Sequence, residues 1–417
     1  MTSLMTNSSS MVALQTLRTI NSSLDQTNNH VSTGLRVNSA ADNAAYWSIA
    51  TTTRSDNGAL GAVKDSLGLA KSSVDTVNTG LDTARTALQK VKEKLITAAS
   101  PDADRKKLQT EITSLLSQVK SNANSTVISG ANWLSVDSSS ANYNATKSMV
   151  ASFSRTGDAV QVDTIDIDTS SFKLYDSNTT VHTAVAAAVT TASATYSTAK
   201  TTADTAYDTA STTATTAYDT AVAAADTAFA GSAMDAAAVA TRDTAYATAK
   251  NTKDSAIATA EAAKKTALDG AVLALKNSLG ASGTNNLGIL DKSRVAATSE
   301  GVATVSSVAD IDISGLSASE ADLAKLANYT SIVDAALTDL TDASTTLGST
   351  SSRIESQSNF VQSLQDANNR AIGALVDANM EEESTKLKAL QTQQQLAVQS
   401  LGIANSSSQS VLTLFRG

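Results

Sequence analysis

The segment from Leu60 to Ala98 carries an unbroken heptad pattern of apolar residues. The apolar positions recur at alternating steps of three and four residues, which is the pattern of a coiled-coil helix. They are Leu60, Val63, Leu67, Ala70, Val74, Val77, Leu81, Ala84, Leu88, Val91, Leu95 and Ala98. Such a helix measures about 58 Å. Because a single helix cannot bury its own apolar seam, the pattern predicts that another element packs along it.

A second heptad series near the carboxyl end supplies the expected partner. Its members are spaced by seven residues and comprise Val333, Leu340, Leu347, Ile354 and Val361. We therefore predict two long helical rods whose seams pack against each other.

Composition and charge limit the classes of fold and partner. Only 4% of the 417 residues are aromatic, which favours thin helical layers over thick cores. The net charge of -9 argues against binding to nucleic acid or to an anionic membrane, because both need a basic surface. The sequence has no cysteine, so it predicts no disulfide and no thiolate chemistry.

Sequence motifs of catalysis, cofactor binding and export are absent. The sequence has no Gly-x-Ser-x-Gly, phosphate-binding loop or His-Glu-x-x-His motif, so we expect no catalytic or cofactor site. Its two histidines, His30 and His182, are too few for a zinc site, and we expect them at the surface. No apolar run reaches about 18 residues and the first basic residue is Arg18, so we expect neither a transmembrane helix nor a Sec-type leader.

Both ends of the chain predict amphipathic helices with few charges. Arg18 and Asp25 are the two formal charges of residues 1–35, and none occurs from Ala389 to Phe415. A helix facing solvent normally carries charges, so these helices are expected to pack against other copies of the chain. The residues predicted to mediate self-assembly are Leu14, Leu17, Ile20, Leu24, Val31, Leu387, Leu390, Leu401, Leu412 and Leu414.

The middle of the chain combines short strands with low-complexity Ala/Thr sequence. Residues 160–167 and 309–313 alternate in polarity, which predicts strands of one small sheet. Within residues 183–279, large side chains recur every eleven residues and keep to one helical face. We interpret the region as a helical hairpin that turns near Gly231. Disorder is the alternative interpretation, because threonine is a poor helix former.

The predicted fold class is mainly α, with long antiparallel coiled-coil helices from both chain ends. A small β-containing, Ala/Thr-rich helical module lies in the middle.

Several segments together resemble bacterial flagellin, in particular that of alphaproteobacterial, rhizobial type. The resemblance covers about residues 1–140 and 320–417, in the family's order at both ends. The segments that carry it are Leu14–Leu24, Ser32–Ala50, Leu88–Glu93, Ser352–Glu355 and Gln409–Arg416.

The resemblance implies a structural function, not an enzymatic one. A flagellin is exported through the flagellar type III apparatus and polymerises into the extracellular helical filament that drives swimming. The implied partners are further copies of the chain, co-assembling related flagellins, an export chaperone, the filament cap and the hook-junction proteins.

The resemblance also implies a division of the chain. It places an N-terminal inner-core helix at 1–40, a coiled-coil rod with a β-hairpin at 41–150, and a variable surface-exposed outer domain at 151–316. A C-terminal coiled-coil rod at 317–374 and a C-terminal inner-core helix at 375–417 follow.

Two segments resemble sites that immune receptors recognise in many flagellins. In the first, Ala41–Trp47 stands where Lys-Asp-Asp-Ala-Ala-Gly-Leu is usual, and in the second, Lys90 and Lys92 stand where arginines are common. We expect poor recognition by both receptors, since a charge pair and bidentate contacts are lost. The corresponding residues are Gly34, Arg36, Asp42, Gln89, Lys90 and Glu93.

Three alternatives stay open on the sequence. A hook-filament junction protein shares the architecture, although the terminal segments match flagellin better. A secreted coiled-coil adhesin or effector would explain the heptads but not the two weakly charged ends. A hydrolase lacks any catalytic constellation.

Overall fold

The computed structural model describes residues 7–128, 130–156, 159–298 and 301–414, with side chains up to residue 406. Most of the described chain is helical. The helices are α1 (Ser8–Thr33), α2 (Ala44–Ala98), α3 (Arg105–Ser125), α4 (Thr179–Ala230), α5 (Ala236–Ala281), α6 (Glu320–Val376) and α7 (Met380–Leu414). The predicted fold class, with long helices at both ends and a mixed module between them, is confirmed.

Within the described residues, the strands form four separate pairs. The strands are β1 (Val127–Ile128), β2 (Ala131–Asn132), β3 (Ser135–Val136), β4 (Thr146–Thr156), β5 (Ala159–Asp168), β6 (Tyr175–Asp176), β7 (Arg294–Ala297) and β8 (Ala303–Ser306). Strand β1 pairs with β2, β3 with β6, β4 with β5 and β7 with β8. The β3–β6 pair is parallel, whereas β1–β2 and β7–β8 are antiparallel.

The chain divides into two compact units. The first unit comprises Met1–Leu69, Val150–Thr164 and Ile354–Gly417, and the second comprises Ala70–Met149 and Ile165–Arg353. Helices α2 and α6 are each divided between the two units, with one part in the first and the other part in the second.

The two heptad seams are buried. All twelve positions from Leu60 to Ala98, and all five from Val333 to Val361, are at most 4% exposed. Helices α2 and α6 pack antiparallel, as polar contacts beside the seam demonstrate within each unit. In the first unit, Asn57 Nδ2 donates to Asn369 Oδ1 at 2.7 Å and Lys64 donates to Gln362. In the second unit, Lys71 Nζ donates to Ser351 Oγ at 3.4 Å and Lys92 pairs with Asp334 at 2.7 Å.

Helices α4 and α5 form a hairpin whose turn, residues 231–235, includes Gly231. The Asn178 side chain caps α4 by accepting from Val181 N at 3.1 Å, and the Asp235 side chain caps α5 by accepting from Ala238 N at 2.8 Å. Many threonine hydroxyls donate to the carbonyl four residues earlier, as Thr205 does to Thr201 O at 2.8 Å. Threonine thereby satisfies its hydroxyl within the helix.

The expectation of a strand at residues 309–313 is wrong. This segment consists of turn and irregular backbone, and Ile311 and Ile313 are buried. The Gln109 side chain of α3 donates to Ile311 O at 3.0 Å and accepts from Ile313 N at 2.9 Å. One glutamine thus satisfies backbone groups that would otherwise need a neighbouring strand. Strand β5 pairs with β4 instead of with this segment.

A polar cluster with a buried ion pair, here called the polar anchor, lies between the segment before α4 and the segment after α5. It comprises Lys173, Asp176, Asn286 and Asp291. Lys173 Nζ donates to Asp176 Oδ2 at 2.6 Å and to Asn286 O at 2.7 Å. Asp176 N donates to Asp291 Oδ2 at 2.9 Å. The polar anchor therefore joins the chain entering α4 to the chain leaving α5.

Two carboxyl groups of the polar anchor have opposite pKa shifts. Burial acts to raise the pKa of Asp176, but hydrogen bonds from Lys173 and from the Ser138 backbone amide outweigh it, so the pKa is lowered. Burial raises the pKa of Asp291 to about 6, despite the hydrogen bond from Asp176 N and the nearby His182 and Lys120. The charged form of Asp291 is therefore disfavoured in the fold.

We expect an Asp291→Asn variant to be more stable than the wild type at neutral pH. The raised pKa of Asp291 stabilises the fold fully below about pH 4, and this contribution is lost as pH rises through about 6. Asparagine keeps an acceptor for Asp176 N without the buried charge, so the gain at pH 7.5 should be about 2 kcal/mol. Urea unfolding between pH 4 and 8 measures it. Asp219→Asn, at an exposed position of α4, is the matched control, and an equal pH slope in both variants would contradict the expectation.

Candidate assembly surfaces

Helices α1 and α7 pack against each other along their length. Asn7 Nδ2 donates to Ala404 O at 3.0 Å near one end of the pair. Gln394 Nε2 donates to Asn21 Oδ1 at 2.7 Å further along. Because contacts later in α1 meet positions earlier in α7, the two helices are antiparallel.

The connections before α2 and after α6 hold the other end of this pair together. Gly34 ends α1 in the left-handed conformation with φ of 71°, and Ala378 N donates to Gly34 O at 2.9 Å. Val37 N donates to Val376 O at 3.2 Å. Val37 and Val376 also form an apolar cluster with Ala50 and Ile372. The connection at Gly34 is therefore a tight, hydrogen-bonded joint.

His30 is buried, so its expected surface position is wrong. Its side chain lies between α1 and α7, with Nδ1 3.1 Å from Glu383 Oε1. Glu383 belongs to the acidic first turn of α7, where a carboxylate is also favoured by the helix dipole. No local sequence pattern indicates this contact, because the two residues are 353 positions apart.

The α1–α7 pair leaves most of its predicted assembly residues accessible. Leu390 is buried and Leu14 is 39% exposed, whereas the side chains of Leu412 and Leu414 lie outside the described residues. The remaining positions are half-buried: Leu17, Ile20, Leu24, Val31, Leu387 and Leu401. Apolar area is thus left over after the two helices have packed together.

Sequence reasoning missed the most exposed apolar side chains of these helices. On α1 they are Met11 and Val12, and on α7 they are Leu396, Val398 and Ile403, of which Ile403 is 69% exposed. The sequence signal that could have identified them is that they are apolar residues in nearly uncharged helices. Exposed apolar patches of this kind mark sites of protein–protein contact.

The first turns of α2 carry another exposed apolar group. Tyr46, Trp47 and Ile49 are all exposed, and the Asn43 side chain caps the helix by accepting from Tyr46 N at 3.1 Å. These three side chains extend the apolar surface available in the first unit.

The immune-receptor-like residues are accessible, but some are held by local bonds. Arg36 Nη2 donates to Leu375 O at 2.9 Å. Asp42 Oδ2 accepts from the backbone amides of Ser39 at 2.9 Å and Asn38 at 3.0 Å, and these bonds lower the pKa of Asp42. In the second unit, the side chains of α2 that belong to this group are exposed: Gln89, Lys90 and Glu93.

The described residues contain neither a candidate membrane-spanning helix nor a candidate metal-binding cluster. None of the helices there is long and apolar enough to cross a membrane. The same residues contain no group of three or more His, Cys, Asp or Glu side chains placed to hold a metal ion.

Both ends of the chain match models of known protein families. Residues 4–139 match the bacterial flagellin N-terminal helical region, and residues 330–415 match the bacterial flagellin C-terminal helical region.

The chain is also similar, over its whole length, to proteins named flagellin. The chain is 41% identical over 420 residues to Flagellin A and 41% identical over 421 residues to Flagellin B, both of Rhizobium meliloti. It is 32% identical over 418 residues to a flagellin of Brucella melitensis. Each of these alignments covers 100% of both chains.

Proposed function

Because the chain belongs to the bacterial flagellin family, it is a structural subunit of the extracellular flagellar filament, and we propose that α1 and α7 make its main contacts with neighbouring copies. As a flagellin it is exported through the flagellar type III apparatus and serves swimming motility. It is not an enzyme.

The observation that carries the proposal is the apolar surface left on the α1–α7 pair. Leu396, Val398 and Ile403 are all more than half exposed in a stretch of α7 without charges. Burying an exposed leucine or isoleucine yields about 1.5 to 3 kcal/mol. A second copy that covers these side chains would therefore stabilise the terminal helices of both.

Replacing two of these side chains should abolish polymerisation while leaving the protomer folded. In a Leu396→Ser and Ile403→Ser double variant, the hydroxyls remain solvated in the protomer but would be buried in a subunit contact. We expect at least a tenfold loss of pelletable filament after seeding, measured by sedimentation and negative-stain microscopy. Circular dichroism should match the wild type.

Leu273→Ser is the matched control, because Leu273 is equally exposed but lies on α5. This variant should polymerise normally. Normal filaments from the double variant would refute the assigned contact.

The wider organisation of the subunit is also proposed. Residues 1–40 and 375–417 would form the inner core of the filament, 41–150 and 317–374 its coiled-coil shell, and 151–316 the module facing the medium. The two nearly uncharged terminal helices and the buried seams of α2 and α6 support this order. The proposed partners beyond self are related flagellins, an export chaperone, the filament cap and the hook-junction proteins.

We expect the plant-receptor-like segment to be a poor elicitor. A synthetic peptide of residues 29–50 contains Tyr46 and Trp47 in place of a small residue and an aliphatic one, and it lacks one cation and one carboxylate of the usual form. Steric conflict and the lost charges should lower its potency at least tenfold. A plant oxidative-burst assay measures this, with a peptide carrying Lys-Asp-Asp-Ala-Ala-Gly-Leu at positions 41–47 as the matched control. Equal potency of the two peptides would refute the expectation.

A further inference from the structure

Aromatic and cationic side chains join α4 to α5 at equal intervals. In each of three pairs, a cation of α5 lies over an aromatic ring of α4. The distances to the ring centroid are 5.1 Å from Lys264 Nζ to Tyr207, 4.6 Å from Lys253 Nζ to Tyr218 and 4.7 Å from Arg242 Cζ to Phe229. Each step of eleven residues along α4 is matched by a step of eleven back along α5.

The next position in the series has different chemistry. Eleven residues before Tyr207 is Tyr196, and eleven residues after Lys264 is Leu275. Both are buried in one apolar cluster with Ala192. The Tyr196 hydroxyl donates to Gly301 O and accepts from Ala303 N at 3.1 Å. This buried pair fixes the register of the hairpin against β8, and the three aromatic–cation pairs repeat beyond it.

Two polar contacts between the helices do not follow this interval. Lys264 Nζ lies 2.7 Å from Asp204 Oδ1, and the Tyr246 hydroxyl donates to Asp226. Alanine and threonine occupy most of the remaining positions. The aromatic–cation pairs are thus the recurring large contacts of the hairpin.

An eleven-residue step keeps a side chain on the same helical face. It corresponds to three turns of about 3.67 residues each, and it advances the helix by about 16 Å. Removing one such step from both helices would bring the flanking pairs together without changing the turn at 231–235 or the base at Tyr196.

We propose that the α4–α5 hairpin is a spacer built from equivalent aromatic–cation pairs, whose length can change only by matched eleven-residue segments of both helices. Each pair is a unit of length, the buried Tyr196–Leu275 pair is the base, and the turn closes the far end. The module can therefore vary in length while the rest of the second unit stays unchanged.

A paired deletion tests the spacer. Removing residues 208–218 together with 253–263 takes out the central pair. The Tyr207–Lys264 and Phe229–Arg242 pairs then become neighbours in the series, one eleven-residue step apart. Helix content per residue should equal that of the wild type, and the melting midpoint should stay within about 5 °C. Circular dichroism measures both.

Removing nine residues from each helix, 210–218 with 253–261, is the matched control. Nine residues are two and a half turns, so the flanking side chains would face away from each other. This variant should lose helix content and melt at least about 10 °C lower. The spacer proposal is overturned if the two deletions melt alike, or if the eleven-residue deletion loses as much helix.

The pairing itself has a second test. Tyr218→Lys alone places two ammonium groups opposite each other and should lower the melting midpoint, whereas the exchanged pair, Tyr218→Lys with Lys253→Tyr, should restore it. Failure of the exchange to restore the midpoint would count against equivalent pairs. Neither test depends on polymerisation, so the spacer proposal can fail while the proposed assembly function stands, and the reverse.

Discussion

A Gly288→Ala variant will unfold with a free energy about 3 kcal/mol lower than that of the wild type. A Cβ atom at Gly288 would lie 2.3 Å from Leu174 O and 2.5 Å from Tyr175 N. Both atoms belong to a backbone segment that hydrogen bonds hold from two sides. Leu174 N donates to Leu134 O at 2.8 Å, and Leu290 N donates to Leu174 O at 3.0 Å. Neither segment can move without breaking these bonds.

Urea unfolding followed by circular dichroism measures the loss. Gly270→Ala is the matched control, because a Cβ there meets nothing within 4 Å and Gly270 lies inside α5. Alanine in a helix interior is favoured over glycine, so this control should gain about 0.5 to 1 kcal/mol. If Gly288→Ala proved as stable as the wild type, the close approach of the two backbone segments would be wrong.

A Lys173→Met variant will lose about 3 kcal/mol or more, because it leaves the carboxylate of Asp176 buried without its cation. The side chains of the pair are 5% and 0% exposed, so water cannot replace the ammonium group. Methionine preserves the length and apolar contacts of the lysine stem. The loss therefore reports the charge and its hydrogen bonds to Asp176 and Asn286 O.

Removing the second charge should recover part of this loss. Lys173→Met with Asp176→Asn lacks both charges of this ion pair, and asparagine can still accept from the Ser138 amide. The single variant should also approach the wild type as pH falls, because protonation of Asp176 relieves its unpaired charge. Urea unfolding at several pH values measures both effects. A loss below about 1 kcal/mol for the single variant would mean that water reaches the Lys173–Asp176 pair.

The parts of the fold that the sequence predicts are those with a local period. The heptad from Leu60 to Ala98 predicts buried positions of α2, because side chains return to the same face of a helix every three or four residues. The eleven-residue series likewise predicts two helices and a turn near Gly231. Each pattern can be read from the sequence because contact with a neighbouring helix recurs at a fixed spacing.

The parts that were missed depend on contacts distant in sequence. Nothing near His30 indicates that Glu383 faces it, and nothing near Ile311 indicates that Gln109 will take the place of a strand. The polar anchor unites Lys173 with Asn286, and its single local contact, Lys173 to Asp176, resembles an ordinary surface ion pair until burial is known. The assembly residues could be predicted as a class, from scarce charge, but their degree of exposure could not.

The two tryptophans give the chain built-in optical reporters. Trp47 is 38% exposed in the first unit, whereas Trp133 is 3% exposed in the second and packs against Phe172 with ring centroids 6.4 Å apart. A wetted indole emits at longer wavelength than a dry one. The emission spectrum of the natural polypeptide thus contains one component from each half, and with Trp47→Phe or Trp133→Phe the events in either half can be followed separately without attaching a dye.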